Sequence, residues 1–236
     1  MREIAIHLKN CMKERTKENI FKLYNWQFLN CIRLWFAAVG AYSAPEDLGK
    51  LAHPLIEITH GILKFYPNVR YAPLRIHLIE YLNEFSYKSG IYIPVVEYLF
   101  EMLKEINFEK KRDKSLTKKF DFAINVKTQK EYLKAEEFYK ELFDLIMNKL
   151  LEAFSNFALY LAYPESLIVT RLYLKKYMKK LRNKELREKL KKLLNTLDEN
   201  EKTFITKRKE IEFSKNSSQI NPLTRVCMPS NFLLFL

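Results

Sequence analysis

The placement of proline and glycine between residues 67 and 94 constrains the fold of this chain more than any other feature. The segment reads PNVRYAPLRIHLIEYLNEFSYKSGIYIP, and its runs between these residues have apolar side chains every three or four positions. Proline cannot continue a helix but is tolerated in a first turn, and glycine commonly follows a last turn. Pro67 therefore marks the end of one helix. Pro73 and Gly90 delimit a second helix, and Pro94 begins a third.

The rest of the chain has the same helical pattern, since it contains only 4 glycines and 8 prolines in 236 residues. We expect an all-α fold in which antiparallel helix pairs form a HEAT-like α-solenoid. Helices are predicted to start near Pro54, Pro73, Pro94 and Pro164. Further helices are predicted at 1–16, at 20–43 as a central helix buried nearly all round, at about 129–163, and from Asn183 with a leucine stripe.

We expect a single helical-repeat domain over residues 1–223, because a chain with 48% hydrophobic residues can bury a substantial core. A basic connection is predicted at about 107–128, with an extended patch at 120–126. Residues 224–236 are expected to form a C-terminal tail.

The chain carries 41 Lys and Arg against 28 Asp and Glu, a net charge of +13. A field of this sign attracts phosphate, anionic lipid or acidic protein. The unclustered Cys11, Cys31 and Cys227 favour neither a disulfide framework nor a zinc site, and they indicate a reducing intracellular compartment. The apolar windows 26–39 and 142–162 contain charged and polar residues, so we expect a soluble protein without a membrane span.

One metal-like pattern is present. His53, Glu57 and His60 share a helical face at a spacing that can hold a metal, but lysines on the same face favour a solvated polar surface. The sequence has no glycine-rich phosphate loop, nucleophile elbow or metalloprotease motif. We therefore expect no catalytic residue, metal, cofactor or small-molecule substrate.

Arg75 falls toward the apolar arc of its predicted helix, whereas His77 and the acidic residues gather on the other side. A buried arginine must satisfy five hydrogen-bond donors. We expect main-chain carbonyls or a carboxylate to accept from Arg75. The alternative is that Arg75 anchors a partner in a groove between helices.

The segment PESLIVTRLYLKKYMKKLR, residues 164–182, has the strongest functional signal. Residues 171–192 contain eleven Lys or Arg against two Glu, a local charge of 11 − 2 = +9. Like charges four residues apart destabilise an isolated helix, and an anionic partner would offset this. We expect contact with RNA phosphates, with a solvated lysine face as the alternative. The candidates are Arg171, Lys175, Lys176, Lys179, Lys180 and Arg182, with Lys110, Lys111 and Arg112 in the basic connection.

Three stretches carry a family resemblance: WQFLNCIRLWFAA, HPLIEITHGILKFYPNVRYAPLRIHLIEYLNEFSYKSGIYIPVVEYLFEML and ENEKTFITKRKEIEFS. In order and spacing they resemble the nucleolar complex protein 2 family of ribosome-assembly factors, over roughly residues 20–223. The matching positions include Pro73, Leu74, Arg75, His77, Gly90 and Pro94. The family usually carries a long charged extension before its helical region, so we expect a short form comprising the C-terminal helical region.

The resemblance implies a non-enzymatic factor of the nucleus, nucleolus and nucleoplasm that acts in large ribosomal subunit (pre-60S) biogenesis and intranuclear transport of precursors. It implies a heterodimer with a sister nucleolar complex protein, and contact with pre-ribosomal RNA in a large-subunit precursor particle. Two alternatives stay open. One is a HEAT-like adaptor that binds acidic partners without RNA, and the other is a peripheral membrane protein.

Overall fold

The computed structural model describes residues 1–41, 48–108, 110, 112, 119–158, 160 and 162–210, without the side chains of 207–210. No β-strand occurs in these residues, and the all-α prediction is confirmed. The extended patch predicted at 120–126 is wrong, because this segment forms turns and bends. The HEAT-like arrangement stays a prediction. Across the described residues, none of the helices combines the length and apolarity that a bilayer-spanning segment needs.

Most helices follow one another with short connections, whereas a longer segment separates α6 from α7. In chain order they are α1 Arg2–Lys13, α2 Lys17–Leu23, α3 Trp26–Ala41, α4 Ala52–Phe65, α5 Ala72–Ser89, α6 Val96–Glu105, α7 Glu136–Phe157, α8 Tyr163–Lys180 and α9 Lys184–Glu210. Single 3-10 turns lie at Gly49–Leu51, Val69–Tyr71 and Tyr132–Lys134.

Proline and glycine mark the helix boundaries as predicted. Pro54 lies in the first turn of α4, and Pro73 and Pro164 are the second residues of α5 and α8. Helix α6 begins two residues after Pro94. Gly90 ends α5 with a φ of 71°, a left-handed conformation that favours glycine, and its N–H donates to the Ser86 carbonyl at 3.0 Å.

The single buried helix predicted over 20–43 is wrong, and its last two positions lie outside the described residues. The helix is interrupted between α2 and α3 because the Asn25 side chain forms hydrogen bonds with the backbone on both sides. Its Oδ1 accepts from the Phe28 N–H at 2.8 Å, and its Nδ2 donates to the Phe21 carbonyl at 3.0 Å. One face of α3 is open, with Leu34 70% exposed. The central helix is instead α5, where 13 of 18 residues are buried.

Two compact units divide the chain, Met1–Lys149 and Leu150–Leu236, with the boundary inside α7. We call them unit 1 and unit 2. A single domain over 1–223 stays a prediction. The tail predicted at 224–236, with Cys227, lies outside the described residues.

Tyr24 links consecutive helices in the core of unit 1. Its hydroxyl donates to the Ile62 carbonyl at 3.0 Å and accepts from the Tyr66 N–H at 3.1 Å. Helix α1 approaches α4 closely at Gly61, where an added Cβ would lie 2.8 Å from Leu8 Cδ2. Helix α4 therefore contacts both α1 and the connection between α2 and α3.

In unit 2, α8 and α9 form an antiparallel hairpin. The Asn183 Oδ1 accepts from the Glu185 N–H at 3.0 Å and so caps the start of α9. At the other end of the hairpin, the rings of Tyr163 and Phe204 are 5.7 Å apart. The predicted leucine stripe is confirmed, since all five of its members are buried: Leu186, Leu190, Leu193, Leu194 and Leu197.

Replacing Gly90 by Ala should lower the free energy of unfolding by about 1 to 2 kcal/mol, because a Cβ is unfavourable in the left-handed conformation. The matched control is Gly40→Ala, which is helical and would place its Cβ an ordinary 3.7 Å from Phe85. Alanine favours a helix by about 1 kcal/mol over glycine, so this variant should be neutral or more stable. Urea unfolding measures both. Equal destabilisation of the two variants would contradict the proposed role of Gly90.

Candidate nucleic-acid interface

Arg75 lies inside unit 1 and is 2% exposed. Its Nη2 donates to Glu101 Oε2 at 2.9 Å and its Nη1 to Glu105 Oε2 at 3.1 Å. The two glutamates are one turn apart on α6, so both carboxylates reach the same guanidinium. The prediction that Arg75 is buried and paired with a carboxylate is confirmed. Its anchoring of a partner stays a prediction.

His77 is also buried, at 8% exposure, although the helical wheel placed it away from the apolar arc. Its ring centroid is 5.1 Å from that of Trp26, whose Nε1 donates to the Ile124 carbonyl at 3.2 Å. Burial lowers the pKa of His77, with an opposing influence from Glu80, whose Oε2 is 3.9 Å from His77 Nδ1. Glu80 in turn pairs with Lys149 at 3.2 Å. Trp26 therefore links the His77 ring to the turns at 120–126.

The remaining motif positions lie where they shape the backbone. Pro73 and Leu74 are buried in the first turn of α5, Gly90 ends that helix, and Pro94 precedes α6. These residues lie at the ends of helices in unit 1, so the motif marks where α5 begins and ends and where α6 begins.

Helix α8 presents its lysines to solvent. Lys175, Lys176, Lys179 and Lys180 are exposed, and within the described residues their side chains form no ion pair or hydrogen bond. Arg182 is exposed as well. The hairpin brings the basic end of α8 next to the start of α9, where exposed cations continue: Lys184, Arg187, Lys191 and Lys192. Positive charge is therefore concentrated at the α8–α9 turn.

Arg171 is separate from this lysine group. Its Nε is 2.8 Å from Asp198 Oδ1, and its Nη2 also contacts Glu201, so two carboxylates of α9 hold the guanidinium. The side chain is 24% exposed. The structure therefore brings the four lysines together and directs Arg171 to the neighbouring helix. Phosphate contact by Arg171 stays a prediction.

The candidates in the basic connection lie in unit 1. Lys110 is exposed and Lys111 is outside the described residues. The guanidinium carbon of Arg112 is 3.4 Å from the ring centroid of Tyr139, and Nη1 donates to the Lys110 carbonyl at 3.1 Å. A carbonyl at Asn107 accepts from the same guanidinium. Arg112 is therefore held on the surface of unit 1.

The metal-like pattern on α4 separates in the structure. His53 and Glu57 are exposed, as expected for a polar face, whereas the His60 ring is 5.3 Å from the ring of Tyr98. Burial lowers the pKa of His60. Among the described residues, no group of three or more His, Cys, Asp or Glu side chains is placed to hold a metal.

Helix α8 also carries an exposed apolar group that was not predicted from the sequence. Ile168, Val169 and Leu172 are 52%, 71% and 65% exposed. On a helical wheel they share the arc of the exposed lysines, and plotting every apolar residue of the segment would have shown this. We call these three residues the apolar patch.

The fold and the exposed charge define a helical protein with a basic surface at the α8–α9 turn. The chain belongs to the Noc2p family, whose pattern its sequence matches over residues 1–224, and the predicted resemblance is confirmed.

Relatives from several organisms agree with this assignment. The chain is 31% identical over 199 residues to nucleolar complex protein 2 of Drosophila melanogaster, covering 84% of this chain and 26% of that protein. It is 28% identical over 216 residues to nucleolar complex-associated protein 2 of Arabidopsis thaliana, covering 92% and 28%. Protein REBELOTE of Arabidopsis thaliana is 25% identical over 219 residues, covering 92% and 36%. The chain spans about a quarter to a third of the length of these relatives.

Arg75→Ala should lower the free energy of unfolding by about 2 to 3 kcal/mol, because two charge-assisted hydrogen bonds are lost. The loss is limited because Glu101 and Glu105 are each about one-third exposed and regain water. The control is Arg33→Ala, an exposed arginine of the same unit, for which a change within about 0.5 kcal/mol is expected. An unfolding midpoint for Arg75→Ala equal to that of Arg33→Ala would show that the pairing does not stabilise the fold.

Lowering the pH should destabilise the protein through His77. Its folded pKa is below the usual 6.5, so the unfolded chain binds more protons and stability falls as the pH drops below about 6.5. His77→Gln should reduce the slope of unfolding free energy against pH between about pH 5 and 7 by up to about 1.4 kcal/mol per pH unit. His60 shifts in the same direction, so some slope should remain. Identical slopes for wild type and His77→Gln would contradict this prediction.

Proposed function

We propose that this chain is a non-enzymatic assembly factor of the large ribosomal subunit that acts in the nucleolus and binds pre-ribosomal RNA and a protein partner together. The observation that carries the RNA contact is the group of exposed lysines without ion pairs at the α8–α9 turn. The names of the relatives, which describe nucleolar complex proteins, support the location and the assembly with other proteins.

The chemistry of the turn suits a polyphosphate backbone. Lysine is a compact, strongly hydrated point charge on a flexible stem, so it contacts phosphates without fixing a base sequence. Such contacts position a particle and do not select a motif. Sequence selection would require side chains stacked on bases or bonded to their edges, and the exposed residues of this turn are mainly cationic.

The helical scaffold suits the second role, the protein partner. We propose that the helix pairs of unit 1 are HEAT-like repeats, and that a sister nucleolar complex protein pairs with this chain through an apolar surface. Repeats of this kind contact only their neighbours and so offer extended faces to partners. Holding both partners would let the factor accompany a precursor particle from the nucleolus toward the nucleoplasm.

The RNA contact is tested with the double variant Lys179→Glu and Lys180→Glu. Each lysine that neutralises a phosphate contributes about 0.7 to 0.9 to the slope of log affinity against log salt. The double variant should therefore weaken binding to pre-ribosomal RNA fragments and flatten the slope by about 1.5. Fluorescence anisotropy over a series of salt concentrations measures both quantities.

The matched control is Lys9→Glu with Lys13→Glu on α1. These lysines are also exposed helical positions, and Lys13 lies in a last turn as Lys179 and Lys180 do. The change in net charge is the same, because both variants replace two lysines by two glutamates. The control should keep most of the affinity. Equal loss in both double variants would indicate only a general effect of net charge, and the assignment of the turn would be wrong. No RNA binding by the wild type would favour the adaptor that binds acidic proteins.

A further inference from the structure

The outward arc of α8 changes character along the helix axis. The apolar patch, Ile168, Val169 and Leu172, occupies the first half of this arc, and the exposed lysines occupy the second half. The inward side of α8 is separate, since Leu167 and Leu174 are buried. The apolar patch is therefore additional to the core of the hairpin.

Three neighbouring aliphatic side chains that are each more than half exposed are unusual on a helix surrounded by lysines. Exposed apolar patches of roughly 300 to 600 Å² are the largest on typical monomers and often mark binding sites. Burying the patch against a partner would gain the free energy of removing apolar surface from water, about 25 cal/mol per Å². This free energy is gained only if the occupant covers the patch with apolar surface of its own.

The charges beside the patch define that occupant further. Lys175 and Lys176 follow Leu172 within about one turn on the same arc, and the sequence has no acidic residue from 166 to 184. On α9, the carboxylates of Asp198 and Glu201 are paired with Arg171. Within the described residues, no acidic side chain pairs with these two lysines. The surface around these two lysines thus lacks the negative charge that would complement it.

We propose that residues 168–176 of α8 dock an amphipathic helix of a partner protein. Apolar residues of that helix cover the apolar patch, and Asp or Glu residues in its next turn pair with Lys175 and Lys176. This inference deepens the proposed scaffold function and rests on it. It assigns Lys175 and Lys176 to protein and leaves Lys179, Lys180 and the start of α9 to RNA.

The layout favours a protein helix over other occupants. Helices rise about 1.5 Å per residue, so the arc from Ile168 to Lys176 is about 12 Å long and matches two turns of a partner. A helix that lies in a membrane surface has its apolar and basic residues on opposite faces, whereas here they follow one another along one face. Single-stranded RNA stacks its bases on aromatic side chains, and the patch is aliphatic.

Site-specific photocrosslinking tests the occupant. A benzophenone amino acid replaces Val169 in the full chain expressed in eukaryotic cells, and mass spectrometry identifies the crosslinked peptide after irradiation. The expected peptide comes from another protein and has apolar residues three or four positions apart, followed within about two turns by Asp or Glu. The same label at Leu34, an apolar residue of α3 that is 70% exposed, should not capture this peptide.

Leu172→Asp and Leu34→Asp form a matched pair of variants, because both leucines are exposed helical positions in different units, at 65% and 70%. Leu172→Asp should reduce the Val169 crosslink at least tenfold, whereas Leu34→Asp should keep it. Both should keep the thermal unfolding midpoint of the wild type. Both should also keep the salt slope of RNA binding, since neither changes Lys179 or Lys180.

Several results would overturn the inference. They are a Val169 crosslink to lipid, to RNA or to a second copy of this chain, a peptide without acidic residues, equal loss in the two variants, or no crosslink at all. Failure of the proposed RNA contact is recognised separately. In that case Lys179→Glu with Lys180→Glu leaves RNA binding unchanged while the Val169 crosslink persists.

Discussion

A buried arginine between two carboxylates is the interaction on which unit 1 depends. Helix α5 is covered on nearly every side, so a charge that points inward from it costs several kcal/mol unless it is paired. Arg75 meets Glu101 and Glu105, which are one turn apart on α6. The fork of the guanidinium fits two acceptors at this spacing, and the pairing thereby fixes the position of α6 along α5. The helix boundaries set by the prolines become a defined packing only through this contact.

Unit 2 uses the same device. Arg171 of α8 lies between Asp198 and Glu201 of α9, again two acids about one turn apart on the neighbouring helix. The residues that act here are arginines, whereas the exposed cations of α8 are lysines, and this division follows their chemistry. Arginine has a rigid, weakly hydrated fork suited to fixed pairing, while lysine keeps a hydrated charge on a flexible stem. On α8, the arginine thus pairs within the fold, whereas the lysines keep their charge in solvent.

Because Arg171 pairs with α9, the exposed arc of α8 consists mainly of the apolar patch and the exposed lysines. Apolar side chains occupy its first half, and lysines that have no ion pair in the described part of the chain occupy its second half. Each half suits a different force. Contacts with phosphates weaken steeply with salt, whereas burial of aliphatic surface depends little on it. The proposed protein helix and the proposed RNA would therefore bind side by side and respond differently to ionic strength. The proposed scaffold would thus hold its protein partner and the RNA through two separable contacts.

The sequence by itself determined the helix boundaries at Pro54, Pro73, Gly90, Pro94 and Pro164, because proline and glycine act through the local sterics of the backbone. It also determined the buried leucine stripe of α9, the family, and the need of Arg75 for buried hydrogen-bond acceptors. Tertiary structure decided which helix is central. The apolar pattern of α3 predicted burial on all sides, yet Leu34 is exposed and α5 takes the central place. It also decided that Arg171 pairs with α9 and that Ile168, Val169 and Leu172 face solvent. A helical pattern gives the width of an apolar arc, but which neighbour covers that arc depends on residues about 30 positions away in the chain.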